Sequence, residues 1–248
     1  MPPIDLEERP FHVHLTGFGP FASYSSNPSW EAVKPLNDTV LAAPPTPLNL
    51  PAPRVDPASP CPPSRPIRLT SSLLPVTYAA ASKFVPLLHR GGPDGSRRPD
   101  LVIHCGVGLS GAVKLEQRAR KWGYEKQDVD GELATREEGG GVRRGCTAQE
   151  LEGAEEELRT RIDGKRVQDW LKKSGVEHLD LSEDAGLYLC EFTYYTSLAS
   201  SQLYGADQPV PVQFVHVPPL NNPYSLEQLT TILKLIIWAI VNEGGLPA

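Results

Sequence analysis

Short apolar runs alternate along the chain with longer stretches in which apolar positions recur at helical spacing. Phe11–Leu15, Ile67–Val76, Leu101–Val107, a segment near Leu179 and Val210–Val217 read as strands, and the third of these has the pattern of a buried strand. A helix is expected to start at Asn27-Pro-Ser-Trp30, where Asn27 can cap the first turn and proline is tolerated just inside it. Further helices are predicted over Tyr78–Leu88, over Leu151–Lys173 with an interruption near Gly164, after Cys190, and over Leu226–Val241. Strands alternating with helices imply right-handed crossovers and a mostly parallel sheet between helical layers.

Two stretches interrupt this rhythm. Residues 44–66 hold ten prolines in twenty-three positions, a density that excludes a packed helix or central strand, so the expectation is an extended, mobile insertion. Residues 128–145, rich in charge and glycine, are expected to form a second flexible loop. Gly139-Gly-Gly141 within it has no apolar strand before it and no Gly-Lys-Ser/Thr after it, which argues against a phosphate loop. The pair Arg143-Arg144 reads as solvated loop.

Composition narrows the functional classes. Forty per cent hydrophobic residues suffice for a core, and no run of eighteen apolar residues suggests a membrane span. A net charge of −6 argues against general affinity for nucleic acid or an anionic membrane. Cys61, Cys105, Cys146 and Cys190 show no close metal-type pairing, so neither a zinc site nor a disulfide framework is expected. The acidic segment Met1–Glu8 has no apolar signal core. Together these point to a cytoplasmic enzyme with reduced thiols. No feature of the sequence indicates an oligomeric state.

Candidate chemistry concentrates in three segments. In Asp184-Ala-Gly-Leu-Tyr-Leu-Cys-Glu-Phe-Thr-Tyr-Tyr-Thr-Ser-Leu198, Cys190 stands where a strand-like approach through a glycine meets an aromatic, helix-like run. A thiol at a helix start lies near the positive end of the helix dipole, which favours the thiolate. His216 lies in Val212-Gln-Phe-Val-His-Val-Pro-Pro219, at a strand end, where open α/β sheets gather their ligands. Glu116 follows the strand at 101–107 and the loop Gly108-Leu-Ser-Gly111. A cysteine nucleophile needs a base beside it, and the base needs an acceptor that fixes its tautomer. Each residue also has an ordinary explanation: a buried thiol, a satisfied buried histidine, and a surface glutamate paired with Arg120 or Lys121. Because these segments are far apart in sequence, one domain over residues 1–248 is expected.

The three segments, with His14-Leu-Thr-Gly-Phe-Gly-Pro-Phe-Ala-Ser-Tyr-Ser-Ser-Asn-Pro-Ser-Trp-Glu-Ala-Val33 as a fourth, resemble the ordered motifs of the pyroglutamyl peptidase I (pyrrolidone-carboxylate peptidase) family in its eukaryotic form. The resemblance runs colinearly from residue 12 to about 235 outside the two insertions. It implies a three-layer α/β/α sandwich and a cysteine exopeptidase that removes an N-terminal pyroglutamyl (5-oxoprolyl) group through a thioester, without a metal or organic cofactor. Cys190 would be the nucleophile, His216 the base and acid, and Glu116 its orienting carboxylate. Phe18 and Phe21 match aromatic residues that sandwich the lactam, and Asn27 matches a residue near the site, although helix capping explains it as well. Bacterial members carry an arginine after the glutamate motif that has no clear match here. Lys126 is a conjectural substitute, and the Cys190 backbone N–H is the better oxyanion donor. Leu187 stands where many relatives have arginine, which bears on substrate entry and not on the chemistry.

Two other readings compete. One is a catalytically weakened paralogue that binds pyroglutamyl peptides as a sensor or scaffold, suggested by the insertion and the altered oxyanion region. The other is a phosphorylase-like enzyme on the same architecture, for which no phosphate-binding pattern is present.

Overall fold

The computed structural model describes residues 9–22, 24–48, 64–91, 97–137, 142–205 and 207–247. Most of the proline-rich stretch and the Gly139-Gly-Gly141 run therefore lie outside the described residues. Among the described residues, fourteen strands and α-helices follow in chain order: β1 (Phe11–Phe18), α1 (Pro28–Val33), β2 (Thr39–Leu41), β3 (Ile67–Leu74), α2 (Tyr78–Arg90), β4 (Leu101–Val107), β5 (Val113–Glu116), β6 (Arg118–Arg120), β7 (Glu157–Arg159), α3 (Gly164–Lys173), β8 (Leu179–Ser182), α4 (Leu189–Tyr204), β9 (Val212–Val217) and α5 (Leu226–Asn242).

Seven strands form one sheet in the order β2-β3-β1-β4-β9-β5-β8. The central four, β3, β1, β4 and β9, run parallel, as the sequence pattern requires of strands joined by helical crossovers. Helices cover both faces. Side chains of α1, α3 and α5 pack with Leu15, Ile103, Leu115 and Val215 on one face. On the other, α2 and α4 pack with Val102, Val212 and Phe214. This is the expected three-layer α/β/α sandwich. Each of four helices begins with a side-chain cap: Asn27, Thr77, Asp163 and Ser225 accept from Ser29, Ala80, Arg166 and Gln228 backbone N–H groups respectively. The cap at Asn27 is the one its sequence predicts.

Several local expectations change. The helix expected over Leu151–Lys173 exists only as α3; residues 157–159 instead pair with β6 in a separate two-stranded sheet. The charge of that stretch is helix-compatible, but Asp163 caps the chain at Gly164 and fixes the helix start there. The loop after Gln127 is tied down at its beginning, because buried Asp128 accepts from the backbone N–H groups of Tyr78, Asp130 and Glu132. At the borders of the proline-rich stretch, Leu48 is buried and donates to the Ser174 carbonyl, and Arg65 N–H donates to Asn242. A fourth difference places the site. The short β5 runs antiparallel to β9 and parallel to β8, so the sheet reverses direction on this side, as it also does at the opposite edge, where β2 is antiparallel to β3.

The core on the α5 face sets the stability of this platform. Ile236 is fully buried there among other apolar side chains. Truncation by Ile236→Ala should lower unfolding free energy by about 2–5 kcal/mol, read as a reduced urea midpoint at unchanged slope.

Candidate active site

The parallel strands end at a cavity of about 690 Å³. Phe18 closes β1 there, Val76 follows β3, Val107 ends β4 and His216 lies near the end of β9, while Cys190 enters from the start of α4. The place matches the rule that open α/β sheets bind ligands beyond the carboxyl ends of their strands. All six residues singled out from the sequence, Glu116, Cys190, His216, Phe18, Phe21 and Asn27, line this one cavity.

Strand register explains how the carboxylate and the imidazole meet. In the antiparallel β5–β9 pair, Lys114 stands opposite His216 and Glu116 opposite Phe214. Residues two apart share a face, so Glu116 and His216 are diagonal neighbours on the side covered by α4. Glu116 Oε1 accepts from His216 Nδ1 at 2.8 Å, with Glu116 fully buried. The Glu116 backbone is fixed as well, since its carbonyl accepts from Tyr194 Oη and Gln213 Nε2, each at 2.9 Å. Arg120 and Lys121, the alternative partners, are engaged elsewhere: Arg120 with Glu191 and Lys121 with the Leu151 and Glu152 carbonyls.

With Nδ1 committed to Glu116, Nε2 is the ring nitrogen left for the Cys190 sulfur, which lines the same cavity and lies near enough to raise the imidazole. Burial opposes a charge on His216, but the adjacent sulfur and then Glu116 outweigh it and raise the imidazole to about 9. Two other buried histidines, His89 and His104, and the half-buried His14 show what happens without a carboxylate. His14, His89 and His104 bond only hydroxyls of Thr70, Ser197 and Thr16, and burial lowers them to about 4, to about 3 and far below the usual range. Burial pushes Cys105 up strongly and Cys146 to about 12, whereas Cys190 is half-buried and open to the cavity.

The start of α4 is held tightly. Glu191, next to the sulfur-bearing residue and 1% exposed, accepts from the Arg120 backbone N–H at 3.0 Å and from its guanidinium at 2.6 and 2.8 Å. Arg120 also reaches Asp184, a cavity residue. Among the described residues no side chain caps this helix, and the N–H groups of its first turn lie beyond the reach of intrahelical acceptors. They can receive a negative oxygen beside Cys190. The close approach needs glycine behind it: a Cβ at Gly106 would stand 2.8 Å from Cys190 Sγ and 3.0 Å from Phe214 Cζ.

Phe18 is buried and Phe21 half-buried, and the Phe21 ring faces Tyr188 at 5.5 Å between centroids. Tyr188 thus adds an aromatic wall that the sequence did not single out; its signal was only its position two residues before the cysteine. Asn27 lines the cavity with its amide already engaged, Oδ1 by the N–H and hydroxyl of Ser29 and Nδ2 by the Gly19 carbonyl. Its polar atoms therefore shape the Gly19–Phe21 turn. Leu187 packs its side chain against Gly123. No group of three or more His, Cys, Asp and Glu side chains placed to hold a metal occurs among the described residues.

Comparison with known proteins bears on this arrangement. No family model matches the chain. Human pyroglutamyl-peptidase 1 is 32% identical over 229 residues, covering 91% of this chain and 87% of the relative. Pyrrolidone-carboxylate peptidase of Thermococcus onnurineus is 25% identical, over 90% of this chain and 93% of that protein. Among solved structures, pyrrolidone carboxyl peptidase of Pyrococcus furiosus superposes with a TM-score of 0.70 at 21% identity, covering 95% of this chain and all of that one. The Bacillus amyloliquefaciens pyroglutamyl peptidase I gives 0.68 at 22% identity, over 95% and 97%. The structural likeness establishes the shared fold, and the identity to the human protein across nearly the whole chain goes further: the chain belongs to the pyroglutamyl peptidase I family.

Proposed function

We propose that this chain is a cysteine exopeptidase that hydrolyses the N-terminal pyroglutamyl group from peptides, with Cys190, His216 and Glu116 as its catalytic residues. The observation that carries the reading is the buried Glu116–His216 hydrogen bond in a cavity that Cys190 also lines. The relatives bear the name of that activity. Residues 1–248 are taken to work as one peptidase unit, since the site draws on β1, β5, α4 and β9.

In this reading the sulfur attacks the carbonyl carbon that joins the pyroglutamyl residue to the next nitrogen. The carbonyl oxygen becomes negative and is received by the backbone N–H groups at the start of α4. His216 gives its proton to the departing amine, the C–N bond breaks and a thioester remains. The neutral imidazole then takes a proton from water, whose oxygen attacks the thioester and releases 5-oxoproline and the thiol. Glu116 keeps the ring in the tautomer that points Nε2 at the reacting atoms and stabilises its cation. A pyroglutamyl terminus carries no ammonium, so its pocket needs flat apolar walls instead of a carboxylate. Phe18, Phe21 and Tyr188 supply such walls at low entropic cost.

Purified protein should release the chromophore from a pyroglutamyl anilide, and Cys190→Ser should lower that rate by at least about a thousandfold. Full activity in Cys190→Ser would overturn the assignment. The raised imidazole sets the pH dependence. His216 stays protonated up to about 9, so kcat/KM should fall as pH rises through that value, when the imidazolium that protonates the amine is lost. Glu116 is one of the groups that raise His216, so Glu116→Gln should move this alkaline limb to lower pH as well as reducing the rate. A limb in the same place in both proteins would contradict the role given to the carboxylate.

A further inference from the structure

The cavity holds more than one lactam, and its charged lining is uneven. Glu116 is matched by His216, Glu183 by Arg118 and Arg159, and Asp184 by Arg120. Lys114 and Lys126 also line it, and among the described residues neither ammonium has a carboxylate within ion-pair distance or an internal hydrogen-bond acceptor. The surplus is positive. Lys126 is exposed on the segment whose backbone bonds Tyr78 and Tyr188, the lactam side. Lys114 belongs to the opposite side: it is half-buried on β5, directly across from His216.

That position has a chemical meaning. Residues directly opposed in an antiparallel pair keep their Cβ atoms about 5 Å apart and point to the same face. The ammonium of Lys114 therefore shares the space beside the ring that protonates the departing nitrogen. In an amino acid the α-carboxylate is attached one carbon away from that nitrogen, so a leaving residue with its nitrogen at His216 holds its α-carboxyl group in the territory of Lys114. Leu109, 77% exposed and in the loop whose Gly108 packs against His216, offers an apolar contact on the same rim. Resting on the peptidase reading, we propose that Lys114 receives the free α-carboxylate of the residue leaving the scissile bond, which makes pyroglutamyl dipeptides the preferred substrate class over longer or C-terminally blocked peptides. A longer peptide presents a neutral amide at that point and leaves the ammonium unmatched. Lys114 is a specificity-determining residue in this scheme and takes no part in bond breaking.

The experiment compares pyroglutamyl-alanine with pyroglutamyl-alaninamide, which differ only in the terminal charge. The wild-type kcat/KM should favour the acid by roughly tenfold, the scale of one charge-assisted hydrogen bond at a partly exposed site, mostly through KM. The preference should shrink in high salt. Lys114→Gln should bring the acid-to-amide ratio to about one, and Lys114→Arg should retain most of it. A wild-type ratio of one or less overturns the proposal, as does a ratio that Lys114→Gln leaves intact. Turnover of a pyroglutamyl anilide by the same wild-type preparation separates the two levels. If the anilide is cleaved and the ratio is flat, the carboxylate subsite fails alone; if neither the anilide nor either dipeptide is cleaved, the peptidase reading fails with it.

Discussion

A carboxylate with no access to water holds an imidazole through one 2.8 Å hydrogen bond, and the chemistry available to this chain depends on that contact. Burial alone makes a histidine neutral, as it does at His14, His89 and His104, where the partners are hydroxyl groups. At His216 burial acts in the same direction and loses, because a sulfur and a carboxylate flank the ring. A low-dielectric site strengthens both effects, so the outcome is decided by which groups are brought into contact. The fold supplies that decision through a register. Reversal of the sheet at β5 puts Glu116 diagonal to His216, and two hydrogen bonds to the Glu116 carbonyl keep the strand from slipping.

The sulfur is placed with similar economy of space. Gly106 leaves room for Cys190 Sγ where any side chain would collide, and Arg120 clamps Glu191 so that the first turn of α4 cannot drift. Glu191 is nearly inaccessible and makes three hydrogen bonds to one arginine, the arrangement in which a buried charge is tolerated. Backbone N–H groups, thiol and imidazole are thus fixed before a ligand arrives, which is what electrostatic preorganisation requires.

Much of this was legible in the sequence, for identifiable reasons. Strands β4 and β9 are largely apolar runs, β1 and β3 begin with alternating apolar and polar positions, and the Asn27 cap is a local hydrogen bond with a local signature. Cys190, His216 and Glu116 were readable because they sit in distinctive segments, and the resemblance joined what spacing could not. Other features depend on tertiary contacts. The four residues of β5 carry too little periodicity to reveal a strand, let alone its direction. Glu157–Arg159 has helix-compatible charges but pairs with β6, and only Gly164 onward is helical. Tyr188, the Arg120–Glu191 clamp and the position of Lys114 opposite His216 follow from the folded register. The expectations for residues 49–63 and 138–141 lie outside the described residues.

The central claim concerns the charge of one imidazole, and nitrogen-15 NMR of histidine-labelled protein reads that charge directly. His216 is predicted to titrate near pH 9 in the free protein and to fall to a lower value once Cys190 is capped with a neutral methylthio group. A His216 that titrates below 6.5 before capping, or whose titration is indifferent to the cap, would contradict the coupled site described above.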